Sequence, residues 1–263
     1  MDVLKVELHA HSSDDPSDVI PHTTKQLIDR AALLGYHALA VTLHDRQLDL
    51  RPYLSYAADR GITLIPGIER TIRGKHVLLI NFRRGAGDVT NFDELARLKV
   101  RELGLVVAPH PFFPGSSCLR GQLRRYADLF DAIEYNAMFT DVVNFNAAAE
   151  QFARVHGKPI VGNGDIHRLR QLGTTYSLVS AEPDPDAICD AIRANRVALV
   201  ARPHSLAWAA GLMAELLTSN MLPARFWDRA PELVRRAPLN APVNGPRTPP
   251  SGASASPPST SGV

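Results

Sequence analysis

Residues 3–11 read VLKVELHAH, and the placement of this stretch decides the fold. Alternation sets Leu4, Val6, Leu8 and Ala10 on one face of a strand and Lys5, Glu7, His9 and His11 on the other. Such a strand ends with two imidazoles on one face, within reach of one cation. The next apolar run, ALAVTLH at 38–44, again ends in a histidine, His44, with small residues sharing its face. Further short apolar runs lie at 63–68, 76–82, 105–109, 131–135 and 159–162. Amphipathic helical patterns separate them at 23–34, 50–60, 92–103, 119–130 and 143–156, several closed by glycine (Gly35, Gly61, Gly104). Strands alternating with helices predict parallel pairing and an α/β architecture. Periodicity alone leaves an open sheet and a closed barrel as alternatives.

Metal-capable residues recur where these runs end. Glu69 follows Pro66-Gly67-Ile68, His110 follows LVVAP, and GNGDIH supplies Asp165 and His167. His76 differs in standing at the start of its run. Parallel α/β folds build their sites at the C-terminal ends of strands, so these positions are expected to converge. Nitrogen and oxygen donors without a thiolate suit Zn²⁺, Mn²⁺ or Fe, and they are too many for one ion. A glutamate such as Glu69 has two oxygens with which to bridge a pair of cations.

The 263 residues carry 29 basic and 27 acidic side chains, a formal charge of +2, so strong duplex nucleic-acid binding is not expected. The two cysteines, Cys118 and Cys189, lie far apart, which argues against a disulfide scaffold or a cysteine zinc site. Histidines arrive before any apolar stretch long enough for a signal peptide, and no 18-residue apolar run occurs. The expectation is a cytoplasmic protein without a membrane span. A helix at 185–194 and a short strand at 197–201 close the globular part, and 206–236 reads as one or two helices. From 238 to 263 the chain holds seven Pro, five Ser and one charge, Arg247, which predicts a disordered tail.

ELHAHSS, AVTLHD, IPGIE, GKHVLLIN, APHPF, IEYN and GNGDIH occur in this order over residues 4–205. In that order they resemble the sequence blocks of the PHP (polymerase and histidinol phosphatase) domain family. The resemblance implies a distorted (β/α)7 barrel over 1–205, and the residues themselves add the helical extension at 206–237 and the tail at 238–263. It also implies a site of two to three divalent metal ions (Zn, Mn or Fe). His9, His11, Glu69 and Asp165 would hold the first ion and act in catalysis through it. Glu69, His76 and His110 would hold the second. His44, His167 and an acidic residue after the His-x-His would hold the third. For that residue Asp14, Asp15 and Asp18 compete, because the family's Ser-Asp-Gly run is here DDPSD. The Ser17-Asp18 pair keeps the Ser-Asp order and favours Asp18. Leu43 stands where the family usually has an aspartate that supports its neighbour, and Gly164 replaces a frequent serine. Glu134 and Asn136 match the IE-x-N block without an implied metal role.

The implied activity is hydrolysis of a small phosphate ester, or of a nucleotide or short-oligonucleotide phosphate, by metal-activated hydroxide. Arg46, Arg70 and Arg168 are the candidate phosphate-binding cations. Two other readings remain, a metal-binding interaction module without turnover and an amidohydrolase-like enzyme. Phe112 and Phe113 lie in the loop after the fifth strand, where packing under the loop is the first expectation and base stacking the second.

Overall fold

The computed structural model describes residues 2–219. Nine strands form one sheet: β1 (Val3–Glu7), β2 (Ala38–Val41), β3 (Thr63–Ile72), β4 (Lys75–Ile80), β5 (Leu105–Ala108), β6 (Ala132–Asn136), β7 (Ile160–Asn163), β8 (Thr175–Ser180) and β9 (Val197–Ala201). Their order is β7-β6-β5-β4-β3-β2-β1-β8-β9. The helices are α1 (Thr24–Leu33), α2 (Leu54–Ala58), α3 (Phe92–Arg101), α4 (Gly121–Arg125), α5 (Asn146–His156), α6 (Pro185–Arg193) and α7 (Leu206–Ser219). Side chains set the helix starts. Thr23 and Gln26 cap α1 reciprocally, Asn91 caps α3, and Asp184 caps α6 ahead of Pro185.

The sheet curls into a nearly closed barrel. Beyond the regular strands, Ala10 pairs in parallel with Ile166, joining the chain after β1 to the chain after β7. At the same seam Gly162 donates its N–H to Ser177 Oγ at 2.9 Å. A Cβ on Gly162 would sit 2.6 Å from Leu199 Cδ1 and 2.7 Å from the Tyr176 carbonyl oxygen, so only glycine permits this approach. α6 packs against β8 and β3, and its Ile188, Ala191 and Ile192 belong to the same buried cluster as Ile65 and Val179. α1 covers Leu39, Val41 and Leu43, whereas α3 and α5 cover Ile68, Leu79 and Ile133.

Two features correct the expectation of seven parallel strands. β4 runs antiparallel to both β3 and β5, because the chain reverses at Arg73-Gly74. Both residues have positive φ (50° and 74°), as a two-residue primed hairpin requires. The start of β4 therefore lies at the same end of the barrel as the C-terminal ends of its neighbours. β8, absent from the strand-like runs read above, pairs antiparallel with β1 and β9, and every second residue of it is buried. β9 falls at the expected 197–201.

α7 occupies the first part of the expected helical extension and is anchored to the barrel by Arg168, whose Nε donates to Glu215 at 2.6 Å. The remainder of that extension and the tail at 238–263 lie outside the described residues. Among the described residues no helix is long and apolar enough to cross a membrane.

Candidate metal centre

β1 stops at Glu7 because the Glu7 carboxylate accepts the N–H of His9 (3.0 Å) and that of Gly164 (3.0 Å). Two backbone donors that would otherwise lie unpaired in the interior are thereby satisfied. His9 and His11 then project from irregular chain at the barrel's end, with both side chains fully buried. Burial pushes the Glu7 carboxyl up to about 8, against the pull of the Gly164 and His9 N–H groups.

Glu69 is the centre of the cluster. Its Oε2 faces His9 Nε2 at 3.3 Å, His11 Nε2 at 3.4 Å and His44 Nε2 at 3.1 Å. Its Oε1 faces His76 Nδ1 at 2.7 Å and His110 Nε2 at 3.2 Å. Asp165 Oδ1 lies 3.3 Å from His9 Nε2, 3.6 Å from His11 Nε2 and 3.4 Å from His167 Nδ1. His76 joins this group because β4 runs antiparallel, which explains its place at a strand start. Exposure grades outward: His9, His11 and Glu69 form a sealed floor, whereas His76 (19%) and Asp165 (24%) face the opening.

Three buried ring nitrogens in this pocket, His9 Nε2, His11 Nε2 and His76 Nδ1, lie 2.7–3.4 Å from Glu69 oxygens yet make no hydrogen bond of proper geometry. Unpaired buried polar atoms are costly, so convergent orphans of this kind fit a cation that would take their lone pairs. Four groups of donor atoms have the spacing of a metal site: His9–His11–Asp165, His9–Glu69–His110, His44–Glu69–His76 and His11–His44–His167. Burial disfavours the His11 and His44 imidazoliums, yet nearby carboxylates outweigh it and lift them to about 9 and about 10 in the metal-free protein. Burial would raise the Glu69 and Asp165 carboxyls, but the His9 charge and the surrounding imidazoles hold both well below the usual range.

The Nδ1 atoms of His9, His11 and His44 are tied down by carboxylates, the arrangement that orients metal-binding histidines. His9 Nδ1 donates to Glu134 Oε2 at 2.8 Å. Glu134 also accepts from the His110 N–H, Asn136 Nδ2 and Asn163 Nδ2, so four donors hold one buried carboxylate. Asp15 accepts from His11 Nδ1 at 2.9 Å and from the N–H and Nδ1 of His44, both at 3.0 Å. Leu43 is buried against α1, and Asp15 provides the carboxylate that orients His44. Cys118 Sγ lies 3.4 Å from His110 Nδ1. His22 Nε2 donates to the His11 carbonyl at 2.9 Å, and burial pulls its pKa down to about 4, which keeps it neutral.

The three competing aspartates separate in space. Asp14 accepts from Thr24 Oγ1, Asp15 sits behind His11 and His44, and Asp18 Oδ2 lies 2.9 Å from His167 Nε2 and 3.9 Å from His44 Nδ1. Of the candidate cations, Arg46 is half exposed beside Asp14 at 3.9 Å. Arg70 donates to Asp45 and to the Val89 carbonyl, whereas Arg168 donates to Glu215 and to the His167 carbonyl.

His110 and Asp165 have φ of 28° and 49°, a left-handed conformation that non-glycine residues rarely adopt. Glu134 holds the His110 N–H and Gln171 Nε2 holds the Asp165 carbonyl (3.0 Å), so the surroundings impose the strain at the site. Gly164 has its own reason: a Cβ there would fall 2.1 Å from Ile166 Cδ1. Glu7, Asn163 and Gln171 carry no functional role in the sequence reading, and Asp15 enters it only as one of three competing metal ligands. Their decisive contacts include remote ones, Glu7 to Gly164, Asn163 to Glu134 and Asp15 to His44, and only the IEYN block hinted at such supporting carboxylates.

A barrel of this topology, ending in a buried His/carboxylate cluster, defines a class of α/β proteins suited to binding divalent metal. Residues 143–197, which include Asp165 and His167, match the family model described as PHP-associated. Similar solved structures include a two-domain protein containing a predicted PHP-like metal-dependent phosphoesterase from Bacteroides vulgatus. It is 20% identical with a TM-score of 0.58, over 76% of this chain and 65% of that one. PsfC from Pseudomonas syringae is 18% identical with a TM-score of 0.56, over 84% of this chain and 99% of its own. The lesion-specific endonuclease EndoQ from Pyrococcus furiosus is 17% identical with a TM-score of 0.53, over 81% of this chain and 66% of its own. This chain thus spans slightly under two thirds of the Bacteroides and Pyrococcus proteins. No curated protein matches the sequence. The family match thus covers residues 143–197, and the similar solved structures share the fold of this chain.

Proposed function

We propose that this chain is a metal-dependent hydrolase and, more specifically, a phosphoesterase acting on a small phosphate ester or a short oligonucleotide. The observation that carries the reading is Glu69, whose two carboxylate oxygens face two different sets of imidazoles in a pocket of orphaned ring nitrogens. The phosphoesterase and endonuclease among the similar folds support it. In this reading His9, His11, Glu69 and Asp165 hold one divalent ion, and Glu69, His76 and His110 a second. Asp18, His44 and His167 hold a third. Divalent cations bound there supply a water that is deprotonated at neutral pH and neutralise phosphoryl charge.

The remaining chemistry belongs to the chain. Glu134 and Asp15 fix the imidazole orientations, and the sealed floor keeps bulk water from the buried side of the cluster. Arg46 is our candidate for gripping the phosphate, since its guanidinium is half exposed and only loosely paired. The test is Mn²⁺-supported hydrolysis of a nucleoside 3′,5′-bisphosphate, a short oligonucleotide, histidinol phosphate and a generic phosphodiester, with His9→Ala as the control. We expect turnover that falls at least about 10²-fold in the variant with its circular dichroism unchanged. Metal-loaded protein that hydrolyses none of them would favour a binding module instead.

A further inference from the structure

Two aromatic side chains stand beside the cluster. The Phe113 ring lies edge-on to the His110 imidazole, with centroids 6.5 Å apart, and Phe145 lies 5.4 Å from Phe113. Phe112, by contrast, packs inward against Phe152 at 6.1 Å. Phe145 is 41% exposed and follows Val142 (77%) and Val143 (44%), so one short loop shows three large apolar side chains to solvent at the rim of a polar pocket.

Neither aromatic sits on a slack loop. Arg120 donates from Nε and Nη2 to the Phe113 carbonyl, and the Phe113 N–H bonds the His110 carbonyl at 3.2 Å. The loop bearing Phe145 is clamped by Asn146, which exchanges hydrogen bonds with the backbone of Asn136, both at 2.9 Å. Thr140 Oγ1 accepts the N–H groups of Val142 and Val143, and the His204 N–H donates to the Phe139 carbonyl. Asn136 in turn donates to Glu134, the carboxylate behind His9. The aromatic wall and the metal-facing imidazoles are thus registered to each other through one hydrogen-bonded frame.

We propose that Phe113 and Phe145 form a stacking wall for a planar heteroaromatic ring of the substrate, which makes the preferred ester that of a nucleotide. The proposal rests on the phosphoesterase reading. The Phe113 ring centroid lies 6.5 Å from that of His110, close enough for one substrate to reach both, and stacking accepts any base because every base presents a π-face.

The experiment compares adenosine 5′-monophosphate with ribose 5-phosphate, the same ester without the base, using the full chain loaded with Mn²⁺. The native protein should favour the nucleotide in kcat/KM by about tenfold or more, as loss of one base–aromatic stack implies. Phe113→Leu and Phe145→Ala should each shrink that preference several-fold, and Phe145→Tyr should retain it. Circular dichroism checks folding. Equal rates on both esters, or variants that lose both equally, would overturn the stacking wall while leaving the phosphoesterase intact. Hydrolysis of neither ester by metal-loaded protein would overturn the stacking wall, and the phosphoesterase reading falls with it only if the oligonucleotide and the other esters above are left intact too.

Discussion

Asp15 shows how one side chain fixes two others. Its buried carboxylate takes the Nδ1 atoms of His11 and His44 together, leaving both Nε2 atoms facing the cluster. Asp15→Asn should weaken metal binding by about 10- to 100-fold, measured by competition with a chelator, and an unchanged affinity would contradict the orienting role. The metal-free cluster also stores protons. With His11 lifted to about 9 and His44 to about 10, both are imidazoliums at neutral pH, whereas a metal needs neutral nitrogen. Their raised pKa values stabilise the metal-free fold below the unfolded value, and that contribution is lost as pH rises through about 9 and 10. Burial opposes it, yet nearby carboxylates hold His9 and His110 well above the usual histidine range as well, so metal binding at neutral pH should release several protons, and affinity should climb with pH. Calorimetry in buffers of different ionisation enthalpy reads this directly, and zero release would show that the histidines are already neutral. The histidines were legible in the sequence because they recur at strand ends. Asp15 was not singled out, because choosing among three neighbouring aspartates depends on a loop path that spacing does not encode.

Strand direction settles the place of His76. The sequence supplies the apolar run of β4, but only the Arg73-Gly74 reversal brings its first residues to the cluster. Arg-Gly is not among the usual hairpin dipeptides, so the reversal is not announced by the sequence. β8 escaped notice because its alternation uses Thr175 and Ser177 as inward residues, and short polar side chains do not read as a core face. Ser177 is spent on Gly162 at the seam, where β7 comes against β8 and β9. Gly162→Ala should cost about 1–3 kcal/mol in urea unfolding, through a clash that backbone must absorb. A change below about 0.5 kcal/mol would mean that the seam is looser than the structure shows.

Across the whole barrel, the proposed ligands come from the chain after β1, β2, β5 and β7, from β3 and from the start of β4. Ions bound there would link strands that are distant in sequence, so stability and metal content should move together. Mn²⁺ at a hundredfold excess over its dissociation constant should add about 2.7 kcal/mol, a rise of about 5–10 °C in Tm that a chelator reverses. No shift would show that the cluster does not bind the ion. The barrel itself was readable from the ordered motif blocks, whereas its closure through Gly162, Asn163 and Ile166 depends on contacts that no local pattern announces. The most direct test of the central claim is the metal content per chain, by plasma mass spectrometry after equilibration with Mn²⁺ or Zn²⁺, for the native protein and Glu69→Gln. The account predicts two to three ions per native chain and at least one fewer in the variant. A native chain without bound metal, or a variant that keeps the full complement, would contradict it.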